Sequence, residues 1–218
     1  MKAGGFLENI NAPHILASVF GVLGGLGCML HGVGEILQGS VQPEGIFIES
    51  WKAGPVAEYM GGDPGLTLIP NMLITGVVCL VVSVILILWS VVFTGRKRGG
   101  TILLMLAIVL LFTGGGVGPP VLGILAGISG MMIHSKHNLT QKYLNKTIRK
   151  FFARLWPWIF AVTVLNGFFL IIGHVILVFG FGYTNANTFL NSFFFAFFSI
   201  LISMFLGNAF EIEKNIQH

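Results

Sequence analysis

Six apolar segments alternate with polar or glycine-rich connections along the chain. They cover approximately residues 14–37, 69–94, 101–113, 121–133, 155–180 and 188–210. The first two and the last two exceed 20 residues, the length that a helix needs to cross a hydrocarbon core of about 30 Å. The two middle segments have only 13 residues each, which corresponds to roughly 20 Å of helix. The pattern predicts four full membrane spans and two short helices.

The two short segments are separated by Gly114–Pro120, with the sequence Gly-Gly-Gly-Val-Gly-Pro-Pro. This linker cannot continue a straight helix, because glycines weaken it and prolines remove donors and clash with the preceding turn. Residues 101–133 therefore form either one kinked span or a hairpin of two short helices. A single crossing would separate Arg96–Arg98 from the basic stretch 134–154, whereas a hairpin keeps both on one side. The positive-inside rule favours the hairpin.

The predicted fold is all-α: a polytopic helical membrane bundle with four full spans and a hairpin broken at the glycine and proline linker. Residues 1–218 form a single integral membrane domain in this interpretation. Residues 38–68, which hold four of the eight acidic residues, form an outer loop. Residues 134–154 form a basic amphipathic segment in the cytoplasm, and both termini are cytoplasmic. The predicted location is the cell membrane.

Composition supports a membrane protein and excludes several other classes. Charged residues make up 9% of the chain and hydrophobic residues 55%, with a mean hydropathy of +0.88. A soluble domain carries about 25% charged residues, so the chain is neither a soluble globule, a disordered tail nor a nucleic-acid module. The net charge of +4 comes from basic residues that flank apolar spans. It indicates membrane orientation rather than a nucleic-acid partner.

The basic segment alternates apolar residues with cations at spacings typical of an amphipathic helix. We predict a helix on the cytoplasmic leaflet whose cations face anionic lipid headgroups. These cations are Lys142, Lys146, Arg149, Lys150 and Arg154. A partner membrane protein or a second copy of the chain is an alternative partner. In the outer loop, Ile46–Ala53 is predicted to form a short interfacial helix.

Polar residues of the spans converge at one depth near the outer end. His31 and Glu35 are four residues apart and share one helical face, and ionisable residues within a span are functional candidates by default. His174 rises to the same depth in the fifth segment, and the linker tip reaches it as well. The candidate residues for a ligand site or pathway are His31, Glu35, Asn71, Thr75, Gly116, Gly118, Pro119, Asn166 and His174. For Asn166, an ordinary bond to a neighbouring helix is the alternative.

Two kinds of chemistry suit this set. A broken helix exposes backbone groups that commonly hold ions or small substrates, and the imidazole and carboxylate relay protons or bind the ligand. Alternatively, His31, Glu35 and His174 supply enough ligands for a zinc-like metal with an open position. The sequence requires no cofactor. The chain has no HExxH, Walker A lysine, nucleophile elbow or CxxC motif, which disfavours an enzyme.

Three functions therefore stay open at this point. The first is a small transporter, or a transporter accessory, with a polar site in the outer half of the bundle. The second is a structural or assembly subunit of a membrane complex, in which the polar residues fix helix packing. The third is a membrane-embedded metal or acid–base enzyme.

Two stretches resemble known sequences. Gly61-Gly62-Asp63-Pro64 with the following Thr67-Leu-Ile-Pro-Asn71, and the glycine-rich run from Gly114 to Gly127, are similar to a set of small, uncharacterised prokaryotic multi-spanning membrane proteins. The resemblance covers about residues 30–133. It implies a membrane location and carries no activity.

The predicted topology is testable by cysteine labelling. In a background without Cys28 and Cys79, a membrane-impermeant thiol reagent added to intact cells is expected to label Ser50→Cys but not Ser135→Cys. The reason is that nine basic residues lie on one side and four acids on the other. Equal labelling of both positions from outside would overturn the hairpin topology.

Overall fold

A computed structural model describes residues 11–54, 57–58, 62–135, 144–183 and 185–217. Within this part of the chain there are seven α-helices and two short strands. The elements are α1 (Ala12–Leu37), β1 (Phe47–Glu49), β2 (Pro64–Leu66), α2 (Met72–Val92), α3 (Gly99–Leu111), α4 (Gly118–Met132), α5 (Lys146–Phe168), α6 (His174–Phe181) and α7 (Ala186–Gln217). A π-helical segment, Phe169–Gly173, joins α5 to α6. The predicted all-α bundle is confirmed.

Four helical stretches of the described chain are long and apolar enough to cross a membrane. They are Ala12–Leu37, Met72–Val92, Lys146–Gly173 and Asn187–Ile216. The short apolar helices α3 and α4 match the two short segments of the sequence pattern. The chain is thus a helical membrane protein with the predicted number of long spans.

The start of α5 differs from expectation. Asn145 caps the helix by accepting a hydrogen bond from the backbone N–H of Ile148 at 2.9 Å. From there α5 runs without a break through Pro157, so residues 146–154 belong to the same helix as the apolar residues that follow. The part of the basic segment at 136–143, which includes Lys142, lies outside the described residues.

Glycines bring α1 and α2 into close antiparallel contact. A Cβ at Gly21 would meet Ser90, and one at Gly25 would meet Ile87. Nearer the other end, a Cβ at Gly32 would lie 3.0 Å from the carbonyl oxygen of Gly76. Small residues at such positions let helix backbones approach each other, which is how helices gain packing energy in lipid.

Helices α3 and α4 also pack antiparallel on each other. Gly130 lies against Gly100, and a Cβ at Gly127 would lie 2.6 Å from the backbone nitrogen of Leu104. At the end where α3 begins and α4 finishes, the Nε2 of His134 is 3.0 Å from the carbonyl oxygen of Gly95. We call this the basic end, because it holds the turn Arg96–Arg98. The opposite end, which holds β1, β2 and the linker 112–117, is the loop end.

Two carboxylates of α7 connect this helix to α5 and to α1 at the basic end. Arg149 of α5 donates to Glu213 of α7, and both side chains are buried. Glu211 of α7 accepts from the backbone N–H of Ala12 at 3.1 Å and pairs with Lys214 at 2.9 Å. A carboxylate suits this place because the first N–H groups of a helix have no intrahelical partner.

The four residues of the basic segment that the structure describes divide into two groups. Lys146, Lys150 and Arg154 are exposed, so the prediction that they face lipid headgroups stands as a prediction. Arg149 is instead buried against Glu213, which corrects its assignment to the headgroup-facing set. A buried arginine requires a carboxylate partner, and sequence position gives no sign of a partner 64 residues away.

The outer loop contains strands where a short helix is expected. Residues 47–49 form β1, which pairs antiparallel with β2 so that Ile48 faces Gly65. Ser50, directly after β1, is fully buried. It is therefore a poor labelling site, and the exposed Glu44 in the same loop is the better position for the topology experiment.

The packing of α3 on α4 predicts the effect of a small substitution. Gly127→Ala places a methyl group against the backbone of Leu104, which cannot rotate away, so we expect a loss of about 1–3 kcal/mol of stability. Unfolding of the purified protein by a denaturing detergent, followed by circular dichroism, measures it. Gly180→Ala is the matched control, because the nearest atom to its Cβ is 3.9 Å away. This control should be neutral or stabilising by up to about 1 kcal/mol, and equal losses in both variants would contradict the close packing.

Candidate functional site

The C-terminal half of α1 places two ionisable side chains on the face that looks into the bundle. His31 is 3% exposed and Glu35 is 0% exposed. Two glycines beside them remove steric barriers to approach by other elements. Gly32 lies against the backbone of Gly76 in α2, and Gly34 lies against the carbonyl oxygen of Ser50 and the ring of Trp51. The helix therefore meets both α2 and the outer loop at the site.

The outer loop brings Ser50 and Asp63 to this face. The β1–β2 pairing continues as the backbone N–H of Ser50 donates to the carbonyl of Asp63 at 3.3 Å. Gln38, just after α1, donates through Nε2 to the carbonyl oxygens of Glu49 and Ser50, each at 2.9 Å. Asp63 has a positive φ of 56°, a conformation that Asp and Asn adopt more easily than most residues. These contacts fix the loop on the end of α1.

Four side chains form one continuous hydrogen-bonded chain. Asp63 Oδ2 lies 3.1 Å from His31 Nε2. On the other side of the ring, His31 Nδ1 lies 2.9 Å from Ser50 Oγ. Ser50 in turn donates to Glu35 Oε1 at 3.2 Å. We call Asp63, His31, Ser50 and Glu35 the polar chain.

The two ends of the polar chain differ in exposure. The side chain of Asp63 is 22% exposed, whereas Glu35 is fully buried. Glu35 Oε2 accepts no hydrogen bond from any residue that the structure describes. A buried polar atom left without a partner costs about 1–3 kcal/mol, and more when it is charged. The polar chain thus runs from the surface of the loop end to a carboxylate oxygen that lacks a fixed partner.

The linker lies directly against His31 and Glu35. Gly114 and Gly116 have positive φ values of 88° and 77°. A Cβ at Gly114 would collide with the carboxylate of Glu35, and one at Gly116 would collide with the imidazole of His31. Both positions demand glycine for conformation and for space. His31 and Glu35 therefore face the bundle interior beside the linker.

The loop also satisfies the linker backbone. The N–H of Gly114 donates to the carbonyl of Leu66 at 2.8 Å, and the N–H of Leu68 donates to the carbonyl of Phe112 at 3.1 Å. Thr67 forms an isolated bridge with Thr113 between these bonds. The broken helix thus finds in the outer loop the partners that lipid does not offer.

Other candidate residues have packing or capping roles in the structure. Asn71 caps α2 by accepting from the N–H of Ile74 at 3.1 Å, and Thr75 is buried 3.0 Å from the hydroxyl of Thr67. Gly118 lies against the ring of Phe193 in α7. Pro119 fills the space beside Gly24 and Gly27 of α1. Of these four, Thr75 is next to the polar chain, because a Cβ at Gly114 would meet both the methyl group of Thr75 and the carboxylate of Glu35.

Asn166 and His174 complete the set. Asn166 donates to the carbonyl of Ser192 at 2.9 Å and accepts from its hydroxyl at 2.6 Å, which joins α5 to α7. A role in a pathway stays a prediction for this residue. His174 begins α6, but its side chain lies outside the described residues.

The metal hypothesis stays a prediction as well. Within the described part of the chain, no group of three His, Cys, Asp or Glu side chains is placed to hold a metal ion. The hypothesis requires His174, whose side chain is not described. The two buried thiols, Cys28 and Cys79, are free and lie next to each other where α1 meets α2, because Cys79 Sγ donates to the carbonyl of Cys28 at 3.2 Å.

Sequence reasoning missed Ser50 and Asp63 as members of the site. Asp63 stands in the sequence Gly61-Gly62-Asp63-Pro64, and an acid between glycines and a proline indicates a turn. Ser50 carries no comparable signal.

No protein-family model, curated protein or solved structure matches this chain. The resemblance to small prokaryotic membrane proteins stays a prediction.

A pair of glycine substitutions tests the contact between the linker and His31. Gly116→Ala and Gly39→Ala impose a similar left-handed strain, since φ is 77° and 78°, at a cost of roughly 1–2 kcal/mol each. The two differ in space, because a Cβ at Gly116 would collide with the ring of His31, whereas nothing lies within 4 Å of a Cβ at Gly39. We expect Gly116→Ala to lose about 2 kcal/mol more than Gly39→Ala in detergent unfolding. Equal losses would show that the linker does not rest on His31.

Proposed function

We propose that this protein is a small transporter-like membrane protein whose polar site lies in the outer half of the bundle. The observation that carries the proposal is Glu35, a fully buried carboxylate with one oxygen free of described partners, beside a broken-helix linker. Membrane proteins place ionisable groups at such depths chiefly where ions, protons or substrates bind. Discontinuous helices near the middle of a span supply such sites in transporters.

The orientation in the membrane follows from charge. The loop end carries the acidic outer loop, and the basic end carries Arg96–Arg98 together with the exposed Lys146, Lys150 and Arg154. By the positive-inside rule the basic end is cytoplasmic and the loop end faces outside. The hairpin of α3 and α4 then enters the membrane from the cytoplasm and returns to it. Asp63 is the part of the polar chain nearest the outer solution.

An assembly subunit is the second candidate, and one observation favours it. The loop end exposes large apolar side chains that the bundle does not cover: Leu37, Val41, Ile46, Phe47 and Leu68. Phe47 is the most exposed of the five, at 82%. An apolar set of this kind, beyond the ends of the spans, suits contact with a partner membrane protein or with a second copy of the chain.

Reconstitution into liposomes tests the transporter proposal. Gradients of H⁺, Na⁺ and K⁺ are imposed in turn, while oxonol VI reports membrane potential and entrapped pyranine reports internal pH. We expect at least one gradient to give a faster signal than in empty liposomes. We expect Glu35→Gln to abolish that signal, because the amide cannot change charge.

Glu44→Gln is the matched control, since Glu44 is an exposed carboxylate in the same loop. It should behave as wild type. If no gradient moves charge or protons through the wild-type protein, or if Glu35→Gln retains the full signal, the transporter proposal fails. The assembly subunit is then the better account.

A further inference from the structure

We propose that Asp63, His31, Ser50 and Glu35 form a proton relay that carries a proton from the outer solution to Glu35. The inference rests on the outer-half site proposed above and names its ligand as the proton. Three links support it, at 3.1, 2.9 and 3.2 Å, all within the reach of a hydrogen bond. The entrance is partly exposed and the destination is fully buried.

The hydrogens available along the polar chain determine which of its atoms donate and which accept. Ser50 has one hydroxyl proton, and a neutral imidazole has one N–H. When Ser50 donates to Glu35, it must accept from His31, so the proton of the imidazole sits on Nδ1. His31 Nε2 is then a bare acceptor, and the 3.1 Å contact with Asp63 is a hydrogen bond when Asp63 carries a proton. A proton that Asp63 takes from water therefore lies in a hydrogen bond to the base that receives it.

The transfer balances without any other reactant. Asp63 takes a proton from water, and its Oδ2–H bond then breaks as His31 Nε2 takes that proton. The ring becomes an imidazolium and Asp63 is a carboxylate again. The Nδ1–H bond then breaks as Ser50 Oγ takes that proton, and the Ser50 O–H bond breaks as Glu35 Oε1 takes the other. The products are a neutral Glu35 and a neutral His31 with its proton on Nε2. The reverse sequence returns the proton to the outer solution, and no electrons change hands.

Among the described residues, the other titratable groups around Glu35 give a proton no second route from the outer solution. From α1 the nearby titratable groups are His31 and the thiol of Cys28, and from α2 it is the thiol of Cys79. Both thiols are buried and have no exposed proton source. The linker contributes Gly114, which has no side chain, and the loop contributes Ser50. Only the polar chain connects Glu35 to a partly exposed acid among the residues that the structure describes.

Time-resolved infrared spectroscopy of the protein in liposomes tests the relay directly. After a drop in external pH, we expect a carbonyl stretch of a protonated carboxylic acid in the wild type that Glu35→Gln lacks, in addition to the bands of the exposed carboxylates, which both proteins share. Ser50→Ala breaks the relay in the middle. We expect it to slow the appearance of the band by about 100-fold, the low end of what a positioned proton donor contributes. Ser129→Ala is the matched control, since Ser129 is a buried hydroxyl in the half of α4 near the basic end.

Asp63→Asn provides a second, independent break. Asn tolerates the left-handed backbone at this position, so the turn should persist, while the amide cannot pass on a proton. Slow uptake in both Ser50→Ala and Asp63→Asn, with normal unfolding curves, supports the relay. Uptake as fast as wild type in either folded variant, or no Glu35 band in the wild type, overturns it.

The two proposals fail separately. Normal infrared kinetics in Ser50→Ala with a lost flux in Glu35→Gln would remove the relay and leave the transporter. A working relay with no flux in any gradient would leave a proton-binding site in a protein that does not transport.

Discussion

The absence of water in a bilayer core is the constraint on which this structure depends. Every polar group placed there must find its partner in the protein. The chain interrupts its helical structure at residues 112–117, between α3 and α4, and places a carboxylate, Glu35, against this linker. Both features would be costly if they faced lipid. The outer loop folds onto the bundle and supplies hydrogen-bond partners for both features. The carbonyl of Leu66 accepts from the linker, and the hydroxyl of Ser50 donates to Glu35.

Close helix packing gives this polar arrangement its fixed geometry. Glycines let α1 approach α2, and Pro119 at the start of α4 packs into the glycine-rich face of α1. Because no large side chain separates these backbones, the linker can rest directly on His31 and Glu35. The loop is held in turn by Gln38 and by the β1–β2 pairing. Within the polar chain, Glu35 Oε2 is a buried oxygen that the described residues leave without a hydrogen bond.

Much of this fold follows from sequence patterns alone. The four long spans appear as apolar segments of membrane length, and the glycine and proline linker marks the division between α3 and α4. The spacing of His31 and Glu35 places them on one face, and the cost of facing lipid places them beside the linker. These inferences depend on local periodicity and on the energetics of burial, both of which a sequence displays.

The features that sequence did not reveal depend on contacts between distant positions. Ser50 and Asp63 reach His31 from a loop, where no periodicity indicates which side chain turns inward. A strand of three residues is too short to show alternation of apolar and polar side chains. The sequence therefore predicts a helix where the structure has β1. Arg149 looks like a headgroup-facing cation until Glu213 is brought beside it by the packing of α5 on α7.

The outer loop and α1 meet through His31, which lies between Ser50 and Asp63. Solid-state NMR of the protein in lipid bilayers, with labelled histidine, serine and aspartate, measures this contact directly. We predict through-space correlations from His31 Nδ1 to the side chain of Ser50 and from Nε2 to the carboxyl carbon of Asp63. A His31 ring that correlates with water and with neither loop residue would contradict it.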